Sequence, residues 1–108
     1  MLSISEAAKL LGVTRQAVDK RIRSHGLLAV NIGSQLAIPV FQINHGAVLC
    51  GLGKVLRALK VNDPWTRINF FLMKHPALTN RSPLDVLRRG DVQLVVRVAA
   101  GFGNQGSA

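Results

Sequence analysis

A chain of 108 residues carries 14 Lys and Arg against 5 Asp and Glu, a formal net charge of +9 with a sequence pI near 11.5, which favours a polyanionic partner, nucleic acid first. The length allows one modest core or two very small ones, and a single Cys excludes an internal disulfide framework. No apolar run approaches the roughly 18 residues of a membrane span, and MLSISEAAKLL lacks the basic start and cleavage site of a secretory signal, so the expected place is the cytoplasm, away from membranes.

From the N-terminus, Ile4, Ala7, Ala8 and Leu11 recur at helical spacing, with Ser3 or Ser5 placed to cap the first turn. Gly12 ends that helix. Thr14 caps a second one reaching about Ser24, in which Ala17, Val18 and Ile22 form the inward stripe while Arg15, Gln16, Asp19, Lys20 and Arg23 point outward; Gly26 terminates it. Val13, in the short connection between the two, is the apolar plug of a helix-turn-helix. Two apolar runs in LLAVNIGSQLAIPV then flank Gly33, Ser34 and Gln35, which predicts a hairpin wing, with Pro39 confining its strand to an edge. Through SISEAAKLLGVTRQAVDKRIRSHGL, residues 3 to 42 resemble the winged helix-turn-helix of the excisionase and MerR-like group.

Side-chain type assigns the DNA contacts. Arg15 and Gln16 stand at the start of the second helix, where forked groups bond bidentately to guanine and adenine edges. Lys20, Arg21 and Arg23, with Thr14 and the helix N-terminus, suit phosphates, which position the protein without specifying sequence. Ser34 and Gln35 complete the set at the wing turn, where that group commonly carries basic residues, so strong phosphate contacts are not expected there. So small a module binds weakly alone, which calls for a homodimer on a repeated or palindromic operator.

Residues 42–46 lack a hydrophobic period and end in Gly46, which predicts a short hinge between a winged module (residues 1–43) and a helical module (residues 44–108). The second module should open with a helix over residues 47–61, carrying Val48, Leu52, Val55, Leu56 and Leu59 inward and Cys50 as a buried thiol. Asp63 and Pro64 start the next helix over Trp65, Ile68, Phe71 and Leu72, its aromatics read as core, which stops before His75 and Pro76. Ser82, Pro83, Leu84 and Asp85 repeat the device, with Leu84 and Leu87 as anchors. Gly90 closes that short helix and Asp91 caps the last segment, where Val92, Val95, Val96 and Ala99 share a helical face although VQLVVRV has strand propensity. The fold class expected is mainly α with a small β-hairpin wing: a winged helix-turn-helix followed by a small helical bundle.

Trp65, the FFL and HPAL stretches, the Arg81-Ser82-Pro83-Leu84 run with Leu87, Gly90 and the terminal Val/Ala-rich helix together resemble the toxin-binding domain of Xre/MbcA/ParS-type antitoxins, over residues 62–102. The resemblance implies that the final segment is helical. It also implies a cognate toxin encoded by the adjacent gene, of the NAD-consuming RES class, whose active site the antitoxin covers while the complex, a homodimer or higher hetero-oligomer, represses its own operon. Members of that family usually carry an Xre-type front, where this chain has a winged one.

For the toxin contact the candidates are the loop of Asn80, Arg81 and Ser82 and the segment 97–108, with Arg97, Phe102, Asn104 and Gln105. The arginines can pair with carboxylates and Phe102 can anchor in an apolar pocket, or Arg81 is a solvated loop residue and Phe102 caps its own core. His25, His45 and His75 are scattered, the lone Cys gives no metal spacing, and no phosphate-binding loop or paired carboxylates occur, so no enzyme, cofactor or metal is expected. The alternative functions are an excisionase or phage-type DNA-binding regulator without a toxin, and a pure interaction protein.

Overall fold

A computed structural model describes residues 1–103. Helix α1 (Ile4–Leu11) begins with a reciprocal capping box: the Ser3 hydroxyl accepts from the Glu6 N–H at 3.1 Å, and the Glu6 carboxylate accepts from the Ser3 N–H at 2.8 Å. Gly12, at φ +66°, turns the chain out of the helix. Thr14 then caps helix α2 (Arg15–Arg23), accepting from the Ala17 N–H at 3.0 Å. Ala7, Ala8 and Val18 are buried and α1 packs on α2; two alanines on one side of α1 let the helices come close. The chain leaves α2 at His25, which takes φ +61°, one residue before the expected stop at Gly26.

Strands β1 (Val30–Ile32) and β2 (Gln35–Ala37) form the wing, antiparallel, with Ile32 opposite Gln35. Gln35 is therefore a strand residue and the loop is Gly33-Ser34 alone, with Gly33 at φ +64° in the first central position, the glycine-first pattern of a hairpin turn that follows strand twist. Ile38 exchanges two backbone hydrogen bonds with Leu2, at 2.8 and 2.7 Å. Pro39 lies beyond that bridge and is buried, leading at φ −58° into a 3-10 turn (Val40–Gln42); it does not sit in a wing strand.

The expected hinge is a built joint. Strands β3 (Ile43–Asn44) and β4 (Ala47–Val48) pair across His45 and Gly46, both at positive φ. Gln42, fully buried, donates to the carbonyls of Leu28 (2.9 Å) and Pro39 (3.0 Å) and accepts from the Leu28 N–H. The missing hydrophobic period there reflects a two-residue strand pair and a buried amide. Helix α3 (Leu52–Ala58) starts five residues later than expected, because Gly51 takes φ +84°, so Val48 is a strand residue and Cys50 is exposed in the turn. Leu59 is buried just past the helix end.

Asp63 caps α4 (Pro64–Leu72), Ser82 caps α5 (Pro83–Arg88) and Asp91 caps α6 (Val92–Gly101), with a 3-10 turn (Pro76–Leu78) between the first two. The Val-rich final segment is helical because Val95 and Ala99, one turn apart, are both buried as α6 packs on α3 and α5. A Cβ placed on Gly51 would lie 2.6 Å from both Val92 methyl carbons, a measure of how closely α6 approaches the turn before α3. Phe70 meets Phe71 edge-on at 5.4 Å, and Phe71 lies 6.0 Å from Phe41. Buried residues of segments 1–43 and 44–103 belong to one hydrophobic cluster. The architecture is mainly helical with small antiparallel strand pairs, a winged helix-turn-helix followed by a helical bundle. Among the described residues, no helix is long and apolar enough to cross a membrane.

Candidate functional site

Successive residues of α2 are rotated by about 100°. Gln16, Asp19, Lys20 and Arg23 therefore share one arc with Arg15 at its edge, opposite buried Val18. Arg15, Gln16, Lys20 and Arg23 are exposed, while Thr14 spends its hydroxyl on the cap. Asp19 and Arg23 form an ion pair of 3.0 Å one turn apart, both side chains largely in solvent, so a phosphate can take Arg23 from it at a cost of about 0.5 kcal/mol or less. Ile4 at the start of α1 joins Thr14, Arg15 and Gln16 around a shallow hollow on this face. Forked donors and acceptors thus surround the positive end of α2.

Arg21 lies elsewhere. It falls about 160° around the helix from Arg23, is half-buried, and lines a separate hollow with Leu11 and Arg57. It is off the arc that carries Gln16 and Arg23. The phosphate candidates included it because its charge matched, whereas the helical phase places it beside the inward stripe. Ser34 and Gln35 are exposed on the wing as expected. The adjoining surface includes Glu6, whose carboxyl is held below its ordinary range by the Ser3 backbone N–H and then the Ser3 hydroxyl. That negative charge disfavours phosphate at the base of the wing.

On the other side of the molecule, Arg97 and Phe102 come together. With His75, Pro76, Leu94 and Val98 they line an apolar groove of about 620 Å³ between the second 3-10 turn and α6. Phe102 is half-buried, its ring 5.0 Å from Phe70 and 5.8 Å from His75, so it both closes its own core and floors the groove. His75 was not singled out by spacing. Its Nε2 is buried with no hydrogen-bond partner among the described residues, and the His-Pro step at the start of a turn was the one available signal.

Asn80, Arg81 and Ser82 do not line this groove. Asn80 is exposed at φ +59°, Arg81 folds its Nε onto the Leu78 carbonyl at 3.1 Å, and Ser82 is buried as the cap of α5. Asn104 and Gln105 lie outside the described residues. Trp65, expected in the core, is 47% exposed, as are Leu72 at 50% and Met73 at 60%. The inward stripe of α4 is Ile68, Phe70 and Phe71 instead. Trp65 and Leu72 fit the same helical period as that stripe but sit at the two ends of the helix, where the period alone does not decide burial.

No protein-family model and no curated protein matches the chain. Among solved structures, the NMR structure of Rv2175c is similar, with a TM-score of 0.76 and 26% identity over 93% of this chain and 78% of that one. The likeness spans both segments, so the winged front and the helical back occur together in a second protein.

Proposed function

We propose that the chain is a duplex-DNA-binding regulator that reads sequence through Arg15 and Gln16, and that residues 62–102 hold a cognate toxin, making it an antitoxin that represses its own operon. The observation that carries the DNA half is the capped start of α2, where Arg15, Gln16 and Lys20 are exposed on one side and the single acid there is already paired to Arg23. Arg15 and Gln16 meet base edges; Lys20 and a released Arg23 meet phosphates. A homodimer would set two such helices in successive major-groove turns. The toxin half rests on the sequence resemblance, with Arg97 and Phe102 side by side on a groove as the surface on offer. The toxin would be of the NAD-consuming class that this resemblance implies.

Selection of bound duplexes from a random library tests the first half. Arg15→Ala with Gln16→Ala should cost about 1–3 kcal/mol per lost bidentate pair and relax the selected sequence. Co-expression with the adjacent reading frame tests the second: growth arrest relieved by this chain, with a stable complex, supports it, and Arg97→Glu should weaken that complex while sparing the duplex. A regulator without a toxin is favoured by one observation, the single hydrophobic cluster through which the helical segment supports the winged one. Absence of both toxicity and complex would leave that as the function.

A further inference from the structure

The second hollow, about 530 Å³ on the side of α2 away from its exposed arc, brings Arg21 of α2 next to Arg57 of α3, with Gly26, Gly46 and Gly53 in the same lining. Neither guanidinium has a carboxylate or a hydrogen-bond partner among the described residues. None of the five acids lines the hollow: Glu6 is tied to Ser3, Asp19 to Arg23, Asp63 and Asp91 cap helices, and Asp85 lies on α5. Two permanently charged groups facing one space repel each other and lower the cost of bringing an anion between them.

Gly53 contributes directly. A Cβ there would lie 3.2 Å from both terminal nitrogens of Arg57, so the missing side chain lets the guanidinium fold back along α3 at the edge of the hollow. Gly26, Gly46 and Gly53 leave bare backbone over part of the lining, beside the apolar side chains of Leu11, Ala47 and Val48, so an oxyanion can approach closely there. Two planar forks lining one hollow can offer paired donors to the oxygens of a tetrahedral phosphate.

We propose that Arg21 and Arg57 hold one phosphate group in this hollow, supplied either by the backbone of a duplex bound to α2 or by a free phosphorylated small molecule. Only the first source rests on the DNA reading above. The test uses the full chain and inorganic pyrophosphate at constant ionic strength, following the arginine Nε–H resonances. Saturable shifts at Arg21 and Arg57, with at least a tenfold weaker response in Arg57→Gln, are expected. Arg57 is exposed, so this variant keeps the fold even where Arg21→Gln does not. No saturable shift, or equal binding by Arg57→Gln, overturns the proposal.

A duplex titration then separates the sources. If the phosphate belongs to DNA, Arg57→Gln makes the slope of log Kobs against log salt shallower by about 0.9. If pyrophosphate binding is lost while that slope is unchanged, the ligand is a free phosphorylated molecule. A wild-type chain that binds no duplex would refute the DNA reading, and the pyrophosphate titration would still decide this site.

Discussion

Gln42→Leu removes the one amide that holds the end of the helix-turn-helix to the end of the wing. Leu is close to Gln in size, so the change leaves no large void; what it leaves are the Leu28 N–H and the carbonyls of Leu28 and Pro39, all at buried residues and all bonded by Gln42. One unsatisfied buried group costs about 1–3 kcal/mol. At the lower part of that range, about 1.3 kcal/mol for each of the three, less about 1 kcal/mol gained from the added apolar surface, a net loss near 3 kcal/mol follows. Urea unfolding is the assay: at an m-value of about 1.5 kcal/mol/M the midpoint should fall by about 2 M with little change in slope. A fall below about 0.5 M, which at that slope is under 1 kcal/mol, would show that these groups find other partners and that Gln42 does not fix the joint.

Gly51→Ala combines a left-handed backbone with a Cβ 2.6 Å from the Val92 methyls and should cost about 2–4 kcal/mol. Adding Val92→Ala should recover the steric part, and calorimetry showing no recovery would refute the contact. The Glu6 and Asp63 carboxyls are held below their ordinary range, the first by Ser3 and the second by the Thr66 hydroxyl and then its N–H. A lowered folded pKa stabilises above the unfolded value, and that stability is lost as pH falls through the lowered one. Thermal unfolding from neutral pH into acid should therefore show Glu6→Ala closing its gap to wild type at the acid end, as the wild-type carboxylate is protonated; a constant gap would contradict the capping box.

Helix starts were legible because a cap is a local device. Ser3, Thr14, Asp63, Ser82 and Asp91 each need only the chain's own next turn, and each caps as its sequence predicts. Residues 42–51 were not legible, since two-residue strands carry no period and the burial of Gln42 depends on Leu28, fourteen positions earlier. Gly51 looked like a weak helix residue, yet its left-handed backbone is what delays α3. Among the candidate DNA contacts, Arg15, Gln16 and Lys20 followed from residue type at a helix start, but Arg21 required the phase of α2 relative to α1. Arg97 on α6 and Phe102 just past its end fell together in the expected segment 97–108, whereas the contribution of His75 came only with the chain brought back against that helix.

The exposure of Trp65 has an optical side. It is the sole Trp in a chain without Tyr, so nearly all intrinsic emission above that of Phe comes from one half-solvated indole on α4. Unfolding takes that indole only from half-solvated to fully solvated, and emission wavelength will follow denaturation less well than circular dichroism. The same ring will shift to the blue when any partner covers α4, so titrations of complex formation start from a low background without an added label.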